Sequence, residues 1–403
     1  MNLLFLLKAL LNIDNYNQYR HHIKIDKNVD KEIYYLFVAL DNIIKELNRS
    51  ITFEEYALWV QVNLGNDYNP FINAIKIQAD GDQTLILKTL QIIKKKDIAL
   101  KIAQKALAIS EGHNENEEEL NELISKLHEN QVEDDKLKIV DFNLKSLYDT
   151  TIKSPGIKWR LNCLNRSLGP LRKGDFGFVF ARPETGKTTF LASEVSFFAE
   201  QVPTPGIWIN NEEAGEKVAL RCITSSLGIE EDKLEQNLEI YNEQYRKKTK
   251  NNIILIDEAS IHKQDIEDLI KQYTPSFLVF DQIDKIKGFS EDREDLKLGK
   301  LYIWARELAK KHCPVIGVCQ ADGSGENKKY LTMENVANAK TAKQSEADWI
   351  LGIGATHNAG FEFIRHFNIS KNKLLGDKDT DKKLRHGKFD VLIQPDIARY
   401  KDI

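Results

Sequence analysis

The residues Ala181-Arg-Pro-Glu-Thr-Gly-Lys-Thr188 follow the apolar run Phe176–Phe180 and precede the helical stretch Thr189–Ala199. A loop at a strand-to-helix junction turns successive backbone N–H groups and the positive helix end onto one anion. Arg182, Pro183, Glu184, Thr185 and Gly186 would build the cradle, with Thr189 at the head of the helix. Lys187 would set a point charge on the β- and γ-phosphates, and the Thr188 hydroxyl would bind Mg²⁺. The pattern ordinarily starts with glycine, and here the position is Ala181. Alanine serves there provided that φ stays below zero.

Splitting a triphosphate also needs a carboxylate near the metal and a second group to orient or deprotonate water. Two apolar strands end in acids: IILIDE, giving Asp257 and Glu258, and FLVFDQ, giving Asp281. Taken alone, the first looks more like a metal-binding strand with its catalytic acid. The bland reading of Asp257 and Glu258 is a strand-end pair capping the helix that begins near Ile261.

The elements that would hold these residues form an alternating pattern from about Ile157. Short apolar runs fall at Phe176–Phe180, Ile207–Ile209, Ile253–Ile256, Phe277–Phe280, Val315–Val318 and Trp349–Ile353, with helical stretches between the early ones. This predicts an α/β fold with a mostly parallel sheet covered by helices. The later runs FEFIRHFNIS and KFDVLIQ suggest antiparallel additions at the sheet edge.

Residues 1–108 read as all-helical. Ile33, Leu36, Phe37, Leu40, Ile43, Ile44 and Leu47 make one apolar stripe. Thr52 and Glu55 form a capping box, with Ile51 stapled to Tyr56. The next helix offers Leu58, Trp59 and Val62, and Lys94–Lys96 reads as a solvated basic face. Residues 109–154 include the acidic stretch GHNENEEELNELISKLHENQVEDD, which reads as a linker holding a helix that docks on a neighbouring subunit.

A chain of 403 residues with 42% hydrophobic and 29% charged residues reads as globular, with two or three domains. Its net charge of -4 excludes a globally basic nucleic-acid binder, so any such site must be a local patch. Cys163, Cys222, Cys313 and Cys319 lack zinc-finger spacing and read as reduced thiols of a cytoplasmic protein. The apolar start Met1–Ile13 lacks a signal peptide's basic head and cleavage site and is too short to span a bilayer.

Chain order then bears on the two acids. In RecA-type cores the water-activating Glu ends the strand after the P-loop helix, here Trp208–Asn210, which Glu212 and Glu213 follow. The metal-binding Asp comes from a later strand and a polar sensor from the next. Asp281 and Gln320 fit that order better than Asp257, which remains the alternative.

Residues 155–403 resemble the DnaB-type replicative helicases, including the helicase part of phage primase–helicases. SPGIKWRLNCLNRSLGPLRKGDFGFVFARPETGKTTF is similar to the start of that family's RecA-like P-loop core. NNEEAGEKVALRCITSSLGI resembles its segment with a catalytic Glu and an Arg nine residues on, matched by Glu212 and Arg221. LVFDQIDKI, VIGVCQ and SEADWILGI are similar to its metal, sensor and following segments, and ISKNKLLGD to its basic stretch that reaches the adjacent subunit. LLKALLNIDNYNQYRHHI and ITFEEYALWV look like helical collar domains of some phage helicases.

The resemblance implies an ATP-dependent DNA helicase with Mg²⁺ as cofactor and ATP or another NTP as substrate. Glu212 would activate water, Asp281 order the metal and Gln320 sense the γ-phosphate. Lys371 and Lys373 would reach the neighbour's nucleotide. Lys373 stands where the family usually has arginine, with Arg365 or Arg385 as substitutes. Arg221 would lie near the nucleotide and Tyr400 pack on the base. Single-stranded and forked DNA, a homo-oligomeric ring of six, and a primase or polymerase are the implied partners; no membrane is. The glycine-punctuated segment ADGSGENKKYLTMENVANAKTAKQ offers Lys328, Lys329, Lys340 and Lys343 for backbone phosphates. A RecA-like recombinase or loader that forms filaments is the alternative.

Overall fold

The computed structural model describes residues 2–403 except 26, 28–29, 80–81, 113–118, 121–122, 125–126, 128–139, 141, 152, 290, 292 and 339. Most of the acidic stretch at 113–139 therefore lies outside the described residues. The chain divides into two compact units, Met1–Ile139 and Val140–Ile403.

The first unit is helical: α1 (Asn2–Ala9), α2 (Ile13–Tyr19), α3 (Lys31–Leu47), α4 (Phe53–Leu64), α5 (Asn69–Lys76) and α6 (Gln83–Ser110). The α3 stripe buries Leu36, Phe37, Leu40, Ile43 and Ile44, whereas Leu47 is exposed. Thr52 and Glu55 close the capping box that starts α4, and Ile51 and Tyr56 share one core. On α4, Tyr56 and Val60 are buried, while Leu58 and Val62 are exposed. Aromatic bulk at Tyr56, anchored by its hydroxyl on the Leu36 carbonyl at 2.8 Å, fixes which face turns inward. Lys94, Lys95 and Lys96 are exposed on α6.

The second unit is built on a nine-stranded sheet in the order β3-β2-β4-β5-β1-β6-β7-β8-β9. β1 (Phe176–Ala181), β2 (Gly206–Asn210), β3 (Ile253–Asp257), β4 (Leu278–Asp281), β5 (Val315–Gln320) and β6 (Trp349–Gly354) run parallel. β7 (Ile364–Asn372), β8 (Lys388–Gln394) and β9 (Arg399–Asp402) continue antiparallel. The central strand β1 is buried along its whole length, as a strand covered on both faces must be. The apolar side chains above and below the sheet form two separate clusters, one under Trp159, Phe190 and Trp349, the other under Phe178, Tyr302 and Trp304. This is the expected RecA-like α/β core preceded by a helical region. β9 is the strand that the sequence pattern does not reveal: its four residues, RYKD, carry no alternation long enough to read.

Among the described residues, no helix is long and apolar enough to cross a membrane. Cys222, Cys313 and Cys319 are buried, Cys163 is half-buried, and all four are free thiols.

Candidate active site

Parallel strands bring their C-terminal ends to one edge, and loops leaving that edge can converge on a ligand. Here β2, β4, β5 and β1 are neighbours in that order, with Asn210 paired to Asp281 and Gln320 paired to Ala181. Strand order alone thus sets Glu212, Asp281, Gln320 and the phosphate loop side by side.

The phosphate loop leaves β1 and enters the helix α7 (Lys187–Gln201). Its strained positions are Glu184, at φ 59°, and Gly186, at φ 101°. Ala181 is the last residue of β1, outside the left-handed region, so the missing first glycine removes nothing the backbone needs. Gly186 is required twice. Besides its φ, a Cβ there would meet the Tyr400 hydroxyl and Ile393 Cδ1, each at 2.7 Å.

Lys187 is buried and donates from Nζ to the Arg182 carbonyl at 3.1 Å. Burial lowers its pKa, with Glu212 and Asp281 pulling the other way. Thr188 donates its hydroxyl to Asp281 Oδ2 at 3.4 Å. Asp281 is fully buried, and its Oδ1 has no hydrogen-bond partner. Burial, reinforced by Glu212, raises its pKa to about 7. A buried carboxylate oxygen left unpaired is costly unless a cation completes it. Thr188 and Asp281, two oxygen donors of the hard type, fit Mg²⁺.

A cavity of about 490 Å³ opens above the loop, walled by Pro183, Lys187, Thr189, Glu212, Glu213 and Arg221 among others. Glu212 accepts from the Gln282 side-chain amide at 2.8 Å, and Arg221 pairs with Glu213 at 2.7 Å. A second cavity of about 380 Å³ adjoins the loop at Arg182, Thr185, Ile353, His357 and Arg365. Arg182 bonds Glu326 at 3.0 Å, which ties the phosphate loop to the segment after β5.

Asp257 stands apart from this group. It ends β3 at the sheet edge and accepts from the Gly215 amide at 2.8 Å and from Asn210 at 2.9 Å. It therefore caps α8 (Gly215–Leu227) rather than a metal or the helix near Ile261.

Several sequence-based placements change. Tyr400 cannot pack on a base: it is buried beneath the phosphate loop, its hydroxyl donates to the Gly186 carbonyl at 3.2 Å, and Phe190 and Phe367 enclose its ring. Lys343 cannot reach DNA, because its side chain is fully buried and paired with Asp284 at 2.5 Å. Lys328 bonds Asn335 at 3.0 Å, Lys329 pairs with Asp390 at 3.3 Å and Lys340 with Asp322 at 2.7 Å. The segment that carries them is pinned by buried Leu331 and Val336 rather than loose. Arg365 donates to the Thr185 carbonyl of the phosphate loop at 2.7 Å.

Lys371 and Lys373 lie at the other end of the sheet. Lys371 pairs in register with Ile350 near the start of β6, and the Lys373 amide bonds the Asp348 carbonyl at 2.8 Å. Ala181 is level with Ile353. Roughly five strand residues, about 16 Å, therefore separate the level of Lys373 from that of the phosphate loop in the same chain. Lys373 is exposed. Lys371 donates to the carbonyls of Gln344 and Ser345, and burial together with the Lys373 charge lowers its pKa to about 8. Arg385 lies beside this pair, donating to the Asn372 carbonyl at 2.9 Å.

Gln282, Arg365 and the supporting Tyr400 are the site residues that motif reading misses or misassigns. A glutamine following the metal-strand Asp carries no spacing signal, and Arg365 and Tyr400 reach the loop only through sheet topology.

A family model described as an AAA domain matches residues 147–325. No curated protein matches the chain. Among solved structures, a DnaB-like replicative helicase, described with its interactions with primase, aligns over 99% of this chain and 99% of its own, at 15% identity and a TM-score of 0.55. The fold is that of the DnaB-like replicative helicases. An ATPase domain solved on its own aligns over 66% of this chain and 100% of its own, at 14% identity and a TM-score of 0.56. The matched AAA region holds the phosphate loop, Glu212, Asp281 and Gln320, and these likenesses support an NTP-hydrolysing enzyme with a DnaB-like core.

Proposed function

We propose that the protein is an ATP-dependent replicative DNA helicase that forms a ring of six copies around single-stranded DNA and separates a forked duplex. One observation carries the reading. The phosphate end of the sheet gathers Lys187, Thr188, Asp281, Glu212 and Gln320, while the exposed Lys373 lies at the opposite end. In this reading that cation, too far from the phosphate loop of its own chain, serves a nucleotide held by another copy.

In this reading residues 1–108 form a helical collar, 109–154 the linker that docks on the neighbour, and 155–403 the motor. Lys187 and the loop amides hold the phosphates, with Arg182, Pro183, Glu184, Thr185, Gly186 and Thr189 shaping the cradle. Thr188 and Asp281 would hold Mg²⁺, which would neutralise charge at the phosphates. Glu212 takes the proton of the attacking water, and Gln320 contacts the γ-phosphate. Arg221 borders the same cavity. Lys373, with Lys371, delivers positive charge to the neighbour's nucleotide, though lysine lacks arginine's planar fork. Lys328, Lys329 and Lys340 serve DNA phosphates. A primase or polymerase is a candidate partner, a DnaB-like helicase having been described with its interactions with primase, and the setting is the cytoplasm, that of the host if the protein is viral.

The deciding experiment is strand separation on a forked DNA with ATP and Mg²⁺, alongside electron microscopy of the assembly. Closed rings that unwind the fork are expected. Filaments that bind DNA without unwinding it would instead favour the RecA-like recombinase or loader.

A further inference from the structure

Gln282 follows Asp281 and holds φ at 62°, a left-handed conformation that residues other than glycine and asparagine rarely adopt. The strained turn gathers contacts around the segment that carries Glu212. The Gln282 amide donates to Glu212 Oε2 at 2.8 Å, and its carbonyl accepts from the Asn211 side chain at 3.2 Å. Lys285 Nζ holds the Asn211 carbonyl at 3.2 Å. Strain kept at a functional site has to be maintained by its surroundings.

Those surroundings lead to the segment after β5. Asp284, close behind Gln282, accepts from the Tyr302 hydroxyl at 3.2 Å and pairs with Lys343 at 2.5 Å. The Lys343 side chain is fully buried, lies over the Tyr302 ring and donates to the Ala337 carbonyl at 3.0 Å. Lys343 belongs to the short helix α9 (Lys340–Glu346), which closes the lysine-bearing segment that begins at Ala321. A buried ammonium is tolerated only while paired, so movement of that segment would be felt at Asp284.

We propose that Gln282 is a positioning residue that restrains Glu212 in the resting protein, and that the Asp284–Lys343 pair couples its release to the segment between β5 and α9. This rests on the proposed function, in which Glu212 activates water and the segment meets DNA. The amide occupies one carboxylate oxygen of Glu212. Single-stranded DNA displacing the segment would shift Lys343 and Asp284, and with them the turn at Gln282.

The test measures Mg²⁺–ATP turnover of the full chain with and without oligo(dT). Gln282→Asn tolerates the left-handed turn but withdraws the amide by one methylene. It should raise DNA-free turnover several-fold and shrink the stimulation by DNA. A fall or no change in DNA-free turnover would overturn the restraint. Lys343→Met, and independently Asp284→Asn in case the first does not fold, should keep DNA-free turnover and lose most of the stimulation. Full stimulation in a folded variant of either kind would overturn the coupling. A wild-type protein without turnover in either condition would sink the functional reading instead.

Discussion

The two ends of one sheet balance charge in opposite ways. At the phosphate end, Asp281 has an unpaired oxygen and Glu212 borders the same cavity as Lys187, while Glu213 is paired with Arg221. At the other end, burial and then the neighbouring Lys373 charge lower the Lys371 pKa, while Arg306 is paired with Asp348. On the proposed function, a metal and a triphosphate would complete the phosphate end, and the cationic end would meet a second copy. Predictions that separate the two ends test that view.

The largest effect belongs to the phosphate end. Lys187→Ala removes the charge aimed at the phosphates and should cut ATP turnover by roughly 10²–10³-fold, the cost typical of losing one preorganised electrostatic contact. Its thermal unfolding should stay cooperative, because Lys187 pairs with a backbone carbonyl rather than with a buried carboxylate. Turnover near the wild-type level would mean that the loop does not bind the reacting phosphates.

The cationic end should give a smaller loss with a distinct signature. Lys373→Ala is expected to lower turnover by about 10²-fold, less than the roughly 10³–10⁵ ascribed to arginine fingers because lysine lacks the bidentate fork. Mixed with Lys187→Ala protein, it should recover part of the activity, since each variant retains the half that the other lacks. Mixtures no more active than the separate variants would remove Lys373 from a neighbour's site.

How much of this is legible in the sequence depends on whether the signal is local. The phosphate loop, Asp281 and Gln320 sit at strand ends whose apolar runs announce them, so a one-dimensional pattern locates them. Asp257 looks equally good on the apolar run alone; the order of elements along the chain disfavours it, and the strand order β3-β2-β4-β5-β1 sets it at the sheet edge. Tyr400 and Lys343 are misread for a related reason. Their environments are built by residues distant in the chain, Gly186 for the one and Asp284 for the other, and composition carries no trace of that.

A pH series separates function from stability at the cationic end. The Lys371 pKa falls from 10.5 to about 8 in the folded chain. Between those values the unfolded chain binds more protons, so this group makes the fold more stable as pH rises through that window. The charge it can lend a neighbour disappears over the same range. Turnover should therefore decline as pH rises through about 8 while thermal stability does not, and Lys371→Arg should hold its activity to higher pH. Parallel loss of activity and stability, or an unchanged profile in Lys371→Arg, would dissociate Lys371 from turnover.

The smallest effect is expected from the lysines that share the phosphate end but already have partners. Lys329 and Asp390 are both substantially exposed, so solvent screens their ion pair and it can be exchanged for a DNA phosphate at little cost. Lys329→Ala should weaken single-stranded DNA binding modestly and reduce the slope of log affinity against log salt by about 0.7–1, one phosphate contact. Lys343, buried against Asp284, has no such exchange available, and its replacement should leave the salt slope unchanged whatever it does to stimulation. If Lys329→Ala keeps the full slope, the DNA path runs elsewhere, and the cations at this end of the sheet serve only to hold the segment after β5 in place.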